Sequence, residues 1–416
     1  MAHSKNPQSR KMKYSAISLY TGAGGLDYGI EAAQFETHVA IEMDKWCCKT
    51  LRHNRQHWGL LEGKIEDFET AQILKTARLK KREADILVGG PPCQPFSKSG
   101  YWVKGDVDRL KDPRANTLKE YMRVLEETLP RAFILENVFG LAYKGKDEGL
   151  IYLQDRLEEI NKTNKTKYNF NWKVLNAAHF GIPQIRERVF IIGSRDGLPF
   201  QFPEPRFFNP EDDEESNSLF SSSKEPFRTA WDALHDLHDQ NEKPSPSKVG
   251  GKWGDLLPSI PEGQNYLYHS ERGDGVPLFE WRSRYWSFLL KLGKNRPSWT
   301  IQAQPGSAIG PFHWNNRRLT MREMARLQTF PDNIEVLGGV SEVQKQIGNA
   351  VPSAIGEMLG LEIRRQFFNE KIKSNVLSLA PNKARTLPKK TKIFPVAKEY
   401  ISKPLIEVRK GTDGQT

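Results

Sequence analysis

Cysteine is scarce in this chain of 416 residues, which has three: Cys47, Cys48 and Cys93. Because the first two are adjacent and the third is distant, neither a disulfide framework nor a Cys-x-x-Cys zinc site can be built. The chain also lacks an apolar run of the roughly 18 residues that a membrane-spanning helix needs, and its polar start has no apolar stretch of a secretory signal. We therefore expect a soluble protein of a reducing cytoplasm, with no membrane partner.

Acidic residues are outnumbered by basic ones, 51 to 62, and the formal net charge is +11. The excess lies at the ends of the chain. Residues 1–13 have four Lys or Arg and no acid, and residues 371–416 have eleven Lys or Arg against three acids. Since the sequence between them is close to neutral, bulk charge alone does not indicate a nucleic-acid-binding protein.

Hydrophobic residues make up 38% of the sequence, which excludes a disordered or collagen-like chain and is enough for a large core. In the first half, short apolar runs alternate with stretches of helical period. The predicted strands cover residues 16–20, 39–43, 85–88, 133–135 and 189–193, and the predicted helices include 26–34, 45–55 and 118–129. This alternation predicts an α/β fold with a doubly wound, mostly parallel sheet covered by helices.

The alternation stops near Gly193, and a Pro-rich, acidic and Ser-rich segment at 202–224 is typical of a linker. An irregular region follows, and helical spacing returns in 320–329 and 353–368. We predict an α/β domain of residues 14–199 and 316–370, interrupted by a smaller, irregular, β-rich domain at 200–315, with basic tails at 1–13 and 371–416. The C-terminal tail has too little apolar content for its own core, so we expect it to be flexible or loosely packed.

A glycine-rich turn, Thr21-Gly22-Ala23-Gly24-Gly25, follows the first predicted strand, where a doubly wound fold places a nucleotide-like cofactor. The dinucleotide fingerprint would need a glycine at position 27, which is Asp27. Glu42 ends the next predicted strand, where a carboxylate can accept both hydroxyls of a ribose. The pattern suits an adenosine cofactor without a pyrophosphate, such as S-adenosyl-L-methionine. A plain tight turn with a solvated glutamate is the alternative.

Cys93 lies in the sequence Gly-Gly-Pro-Pro-Cys-Gln-Pro-Phe-Ser at 89–97, directly after a predicted strand. Three prolines stiffen this loop, and it should lie at the carboxyl edge of the sheet, where ligands bind. Cys47 and Cys48 fall inside a predicted helix and are expected to be inert. Cys93 can act as a nucleophile if nearby positive charge or amide dipoles favour its thiolate.

The loop strongly resembles the catalytic loop of the DNA cytosine-5 methyltransferases, and further motifs of that family follow in order. They are the glycine turn with Glu42, Glu136-Asn137-Val138, Gln184-Ile185-Arg186-Glu187-Arg188, Arg318-Leu319-Thr320 leading to Arg326-Leu327-Gln328-Thr329-Phe330-Pro331, and Gly348-Asn349-Ala350-Val351-Pro352. Together they cover about residues 17–360. An ordered set of motifs is far more specific than any one of them.

The resemblance implies a nucleophile, Cys93, that adds to C6 of cytosine, and an acid, Glu136, that faces N3 and the exocyclic amine. It implies that Arg188 contacts the cytosine O2 and helps to hold Cys93. Arg186, two positions before it, should point to the same face, suited to a base oxygen or a nearby phosphate. The alternatives are an ion-paired surface glutamate and a solvated basic strand end.

For S-adenosyl-L-methionine, the resemblance assigns a set of residues from several parts of the chain. They are Tyr20, Gly22, Gly24, Glu42, Met43, Ile65, Leu118 and Asn349. No metal is implied. The chain departs from the family pattern at Tyr20, where Phe is usual, at Ser18, where Asp is common, and at Lys64-Ile65, where Asp-Ile is usual. Asp67 is the candidate to replace the missing acidic contact to the adenine.

The family's variable target recognition domain corresponds here to about residues 200–315. Residues 281–318 contain seven Lys or Arg and no acid, interleaved with aromatic residues. This mixture offers phosphate contacts, groove contacts and stacking surfaces, although some of the aromatics must form core. The basic residues are Arg282, Arg284, Lys291, Lys294, Arg296, Arg317 and Arg318, and the aromatic ones are Trp281, Tyr285, Trp286, Phe288, Trp299, Phe312 and Trp314.

The resemblance as a whole implies a sequence-specific enzyme that flips a cytosine from double-stranded DNA and methylates its C5 from S-adenosyl-L-methionine, leaving S-adenosyl-L-homocysteine. Its size indicates the modification enzyme of a bacterial restriction-modification system, monomeric and paired in function with a restriction endonuclease. Two alternatives are an RNA cytosine-5 methyltransferase and a catalytically inactive DNA-binding regulator.

Overall fold

The computed structural model describes residues 14–92, 116–137, 148–209, 225–237, 249, 253–281, 285–372 and 376–401. Its strands are β1 (Tyr14–Leu19), β2 (Phe35–Glu42), β3 (Gly59–Glu62), β4 (Ile86–Gly89), β5 (Ala132–Asn137), β6 (Asn169–Asn176), β7 (Gln184–Ile185), β8 (Glu187–Ser194), β9 (Phe207–Phe208), β10 (Glu225–Pro226) and β11 (Ser298–Trp299). Its α-helices are α1 (Gly25–Ala32), α2 (Lys45–Asn54), α3 (Thr70–Ala77), α4 (Asn116–Thr128), α5 (Glu148–Asn164), α6 (Ala230–Leu234), α7 (Met321–Leu327), α8 (Val340–Asn349), α9 (Ser353–Gln366) and α10 (Lys398–Ile401). Both lists hold for the described residues.

The central sheet has the strand order β3-β2-β1-β4-β5-β8-β6 within the described part of the chain. The pairs from β3 to β5 are parallel, whereas β8 is antiparallel to both of its neighbours. The parallel strands are short apolar runs because helices cover both of their faces. This architecture confirms the predicted doubly wound, mostly parallel α/β fold.

Two apolar clusters lie on the two faces of this sheet. One contains side chains of α3, α4 and α5, and the other contains side chains of α1 and α9. Helices α1 and α9 approach so closely that a Cβ on Gly29 would lie 2.0 Å from the carbonyl oxygen of Ser353. Helix α9 therefore completes a layer that begins near residue 25, which brings the end of the predicted domain onto its start.

Four parallel strands end level with one another at one edge of the sheet. Leu19 pairs with Ile41 and with Gly89, and Gly89 pairs with Leu135. The residue that follows each of these positions therefore falls in one row. That row is Tyr20, Glu42, Gly90 and Glu136, and it gathers the motifs that the sequence placed at strand ends.

Residues 253–314 form an irregular region with its own apolar core, which includes Leu256, Tyr266, Phe279, Phe288 and Phe312. Short 3-10 helices at Gly254–Ser259 and Tyr266–His269 and isolated β-bridges shape its backbone. Two small two-stranded sheets lie outside the central sheet, one of β9 and β10 and one of β7 and β11. The second joins the irregular region to residues 184–185. That residues 200–315 form a separate domain remains a prediction.

The C-terminal segment 376–401 packs against the rest of the molecule, so the expectation of a loosely packed tail is wrong for these residues. Glu357 accepts hydrogen bonds from the backbone of Ser378 and Leu379. Further along, Tyr400 is buried in the core of the irregular region, with its ring stacked on that of Trp253. Among the described residues, no helix is long and apolar enough to cross a membrane.

Candidate active site

The glycine turn after β1 is held by the carboxylate of Glu42. One carboxylate oxygen accepts a hydrogen bond from the Gly22 N–H at 2.7 Å, and the other accepts from the Met43 and Asp44 N–H groups at 2.9 and 2.7 Å. Gly22 and Gly24 have φ angles of 58° and 85°, which a residue with a Cβ rarely adopts. The alternative of a solvated glutamate is wrong, because Glu42 is buried and its burial raises its pKa.

Asp27 lies in the first turn of α1, beneath the glycine turn, and the sequence identified it only as the missing third glycine. It is completely enclosed, and burial raises its pKa to about 7, with an opposing hydrogen bond from Ser18. Its Oδ1 atom has no hydrogen-bond partner within the part of the chain that the structure describes. Ser18, at a position where the family commonly has an acid, therefore places its hydroxyl beside the carboxyl group of Asp27.

The remaining predicted cofactor residues come together around the turn. Tyr20, Ile65 and Leu118 share one apolar cluster, and the Tyr20 hydroxyl donates to the Thr117 carbonyl at 2.8 Å. Met43 is 63% exposed at the rim. Asn349 ends α8, and the next two residues touch the turn, since a Cβ on Gly25 would lie 2.5 Å from the Val351 carbonyl oxygen.

Asp67, the candidate for the adenine contact, is engaged locally. Its carboxylate accepts a hydrogen bond from the Lys64 N–H at 3.0 Å and caps the 3-10 helix Ile65–Asp67. The second oxygen of the carboxylate remains able to accept a donor. A contact between Asp67 and adenine therefore stays a prediction.

Glu136 and Arg188 form an ion pair on adjacent antiparallel strands, with 3.1 Å between the Arg188 Nε and the Glu136 Oε1. The Arg188 side chain is 22% exposed and the Glu136 side chain 14%, so Glu136 is ion-paired, as the alternative held, but it does not lie on the surface. Burial raises the pKa of Glu136, and the positive charges of Arg188 and Arg186 oppose this rise. The site therefore favours a carboxyl group that can hold a proton more readily than an exposed one.

The start of the Cys93 loop is fixed against this ion pair. A Cβ on Gly90 would lie 2.9 Å from the Glu136 Oε2, so the loop leaves the sheet in contact with the carboxylate. Asn137 Nδ2 donates to the Pro91 carbonyl at 3.3 Å, and the Thr117 hydroxyl donates to the Pro92 carbonyl at 3.1 Å. Cys93 itself lies outside the described residues, but its chain emerges from this point.

Arg186 is completely buried, which excludes the alternative of a solvated basic strand end. Its Nη2 donates to the Gly348 carbonyl at 2.8 Å, whereas its Nε and Nη1 have no partner within the described segments. Burial and, to a smaller extent, the charge of Arg188 lower its pKa to about 9, and the charge of Glu136 opposes this lowering. The guanidinium thus lies between the charge of Glu136 and the carbonyl of Gly348, the residue before Asn349. A base or phosphate contact of Arg186 stays a prediction.

Three of the five basic residues of 281–318 that the structure describes are used inside the protein, so the prediction that the stretch offers phosphate contacts is wrong for these three. Lys291 is buried and donates to the Ile260 carbonyl and to Asn316, and Lys294 is ion-paired with Glu262. Arg317 forms a two-pronged ion pair with Glu323. Phe288, Phe312 and Trp314 are core residues, whereas Trp281 and Trp286 are 41% and 44% exposed. Arg282 and Arg284 lie outside the described residues.

Residues 14–365 match the family described as C-5 cytosine-specific DNA methylase. The chain belongs to this family. It is 41% identical to the type II methyltransferase M.SacI of Streptomyces achromogenes over 365 residues, which cover 82% of this chain and 90% of the relative. It is 32% identical to the type II methyltransferase M.NgoFVII of Neisseria gonorrhoeae, covering 83% and 85% of the two chains.

Solved structures show the same fold. A prophage-encoded protein from E. coli matches with a TM-score of 0.58 at 23% identity, covering 86% of this chain and all of that one. The Dnmt2 methyltransferase of S. pombe matches with a TM-score of 0.51 at 15% identity, covering 85% and 98%. The family match and the identity to M.SacI show that the chain is an enzyme, a DNA cytosine-5 methyltransferase, and they favour neither the RNA-modifying nor the inactive alternative.

Proposed function

We propose that this methyltransferase transfers the methyl group of S-adenosyl-L-methionine to C5 of a cytosine flipped out of double-stranded DNA, through a covalent adduct with Cys93. The observation that carries this proposal is the Glu136–Arg188 ion pair, in contact with the first residues of the Cys93 loop. It provides an acid and a cation at the point where the thiol-bearing loop leaves the sheet.

The chemistry requires a thiol and an acid in the same place. C5 of cytosine is too electron-poor to attack a methyl sulfonium, so a thiolate must first add to C6 and make C5 nucleophilic. The electron density then moves towards N3, where Glu136 would donate a hydrogen bond or a proton. After methylation, a solvent base takes the C5 proton, the C6–S bond breaks to regenerate the Cys93 thiolate, and the N3 proton returns to Glu136, which restores the aromatic ring.

Arg188 acts on both Glu136 and Cys93 in this reaction. Its guanidinium holds the Glu136 carboxyl in place through Nε, its Nη1 donates to the Glu187 carbonyl, and its Nη2 group can donate to the cytosine O2. Positive charge from Arg188 and Arg186 would also favour the thiolate of Cys93, because a nearby cation lowers a thiol pKa. The buried Arg186 contributes charge to this site without exposing a flexible side chain to solvent.

The residues around the glycine turn fit S-adenosyl-L-methionine. A carboxylate has about four acceptor positions, and Glu42 uses three of them for backbone N–H groups, which leaves room for a ribose hydroxyl. The Oδ1 of Asp27, which has no partner within the described residues, is a second acceptor under the turn. Tyr20, Met43, Ile65 and Leu118 supply apolar surface, and Asn349 supplies an amide. The bound cofactor provides an electrophilic methyl group.

We infer that residues 200–315 recognise the target sequence and that DNA binds between this region and the α/β domain. The similarity to type II methyltransferases supports a role in a restriction-modification system, in which a partner endonuclease cleaves the unmodified site. We place the enzyme with its substrate in the bacterial cytoplasm, as a monomer without a stable endonuclease complex.

Bisulfite sequencing of a plasmid that carries the gene tests this function directly. The proposal predicts complete methylation of one cytosine within a single short sequence, and no methylation when Cys93→Ser is expressed in the same host. Random or absent cytosine methylation by the folded wild-type enzyme would contradict the proposal. The same experiment identifies the recognition sequence.

A further inference from the structure

Trp286 is an exposed aromatic side chain on a firmly held backbone. It is 44% exposed, its carbonyl accepts a hydrogen bond from Asn265 Nδ2 at 2.8 Å, and the next carbonyl, of Ser287, accepts from the Gly310 N–H at 2.9 Å. Gln302 Nε2 also donates to the Ser287 hydroxyl at 2.9 Å. The backbone that carries the indole is therefore held in place, which lowers the conformational entropy lost when the indole binds a partner.

Trp299 supports Trp286 from one side. The two ring centroids are 5.4 Å apart with an interplanar angle of 68°, an edge-to-face arrangement. The Nε1 atom of Trp299 is buried and has no hydrogen-bond partner in the portion of the chain described. Trp299 therefore covers part of the Trp286 ring, and 44% of Trp286 remains exposed.

The tryptophan pair is continuous with the candidate active site. Strand β11 pairs in parallel with β7, so that Trp299 lies opposite Ile185, the residue before Arg186. The Thr300 hydroxyl donates to the Ile185 carbonyl at 2.7 Å. The chain then reaches Gly348, where a Cβ would lie 2.5 Å from the Cα of Ala303. The segment that carries Trp299 therefore runs along the site from Arg186 to the neighbour of Asn349.

We propose that Trp286, supported by Trp299, is a DNA contact of this enzyme and stacks on a nucleobase next to the target cytosine. This inference rests on the proposed function. Base–aromatic stacking is a common source of nucleic-acid affinity, and a base next to an extruded cytosine loses a stacking neighbour. The inward use of Lys291, Lys294 and Arg317 favours this role, because those residues of the same stretch have no free charge to offer a phosphate.

The test compares Trp286→Ala with Trp172→Ala. Trp172 is a matched control, because it is 42% exposed and lies on β6, an edge strand of the central sheet. The probe is a short duplex carrying the sequence identified by bisulfite sequencing, bound in the presence of S-adenosyl-L-homocysteine. We expect Trp286→Ala to raise the Kd for this duplex by about fivefold to 150-fold, as the loss of one stacked base implies. Trp172→Ala should leave it unchanged, and Trp286→Phe should restore most of the affinity.

A measurement of cofactor affinity and a second variant distinguish a lost DNA contact from a misfolded protein. The Kd for S-adenosyl-L-homocysteine should be the same in wild type and Trp286→Ala, since the glycine turn is held by Glu42 and not by the indole. If Trp286→Ala unfolds, Trp286→Leu, which keeps apolar contact with Trp299, should still bind DNA more weakly. An unchanged DNA affinity in a folded Trp286 variant of an active enzyme would overturn this inference and leave the proposed function intact. A wild-type enzyme that methylates no cytosine would overturn the proposed function instead.

Discussion

Glu136 and Arg188 lie 3.1 Å apart, Oε1 to Nε, and Gly90 at the start of the Cys93 loop lies so close to the same carboxylate that a side chain would not fit there. The acid, the cation and the start of the loop come from three different strands, β5, β8 and β4. Their meeting follows from strand register, because Gly89 pairs with Leu135, and Glu136 pairs with Phe190 two residues after Arg188. The sheet thus sets the geometry on which the proposed chemistry depends.

Glu136→Gln should reduce single-turnover methylation by about 100-fold to 10,000-fold, the usual contribution of a positioned general acid. The amide keeps the size of the side chain but cannot deliver a proton to N3. Cofactor affinity, measured by calorimetry, should not change. Glu204→Gln is the control, because the Glu204 side chain is 85% exposed. Near-normal turnover of Glu136→Gln would exclude this residue as the acid.

Glu42→Ala should weaken binding of S-adenosyl-L-methionine and also lower the free energy of unfolding. The substitution leaves three backbone N–H groups of the turn without their acceptor, and hydrogen bonds to a charged group contribute about 1.5–3 kcal/mol. Calorimetry and thermal unfolding of the cofactor-free enzyme measure the two effects separately. A variant with unchanged affinity would show that the turn is not the cofactor site.

Asp27 makes stability depend on pH in a defined direction. Burial raises its pKa from 3.8 to about 7, so its contribution to stability is fully present below pH 3.8 and is lost as the pH rises through 7. Asp27→Asn removes this titration and keeps the shape of the side chain. The free energy of unfolding of the wild type, relative to Asp27→Asn, should therefore fall between pH 4 and 7 by at most about 1.4 kcal/mol per pH unit. Equal pH profiles for the two proteins would contradict the burial of a titrating acid here.

Tyr400→Ala should destabilise the enzyme by roughly 3 kcal/mol, the scale of losing a large buried aromatic side chain. Tyr400 is 3% exposed and stacks on Trp253 in the core of the irregular region. Phe394→Ala is the control, since Phe394 lies in the same segment and is 47% exposed. Thermal unfolding compares the two variants. If both lose the same stability, the segment has no specific anchor at Tyr400.

The strand ends of the site could be predicted from sequence because each follows a short apolar run. Glu42, Gly90 and Glu136 meet at one edge because neighbouring parallel strands end at the same height. Short, continuous apolar runs in the sequence predict such buried parallel strands. The burial of Asp27 beside the turn could not be predicted, because a single acid at the start of a helix has no sequence pattern of its own. Its role depends on enclosure by Ser18 and the turn above it.

The predictions that the structure overturns depend on contacts that form only in the folded chain. The inward charge of Lys294 depends on Glu262, and that of Arg317 on Glu323, and no local pattern reveals such partners. The C-terminal segment looked too polar for a core of its own, but Tyr400 enters a core built from residues about a hundred positions earlier. The antiparallel insertion of β8 between β5 and β6 was likewise invisible to periodicity, which does not encode strand order.

The covalent step through Cys93 is tested most directly with a duplex that has 5-fluorocytosine at the methylated position. After thiolate addition and methyl transfer, the fluorine at C5 cannot leave as the proton would, so the adduct should persist. The account predicts a protein–DNA complex that survives denaturing electrophoresis, requires S-adenosyl-L-methionine and is absent with Cys93→Ser. Methylation of ordinary cytosine by a wild-type enzyme that forms no such complex, or a complex formed equally by Cys93→Ser, would contradict it.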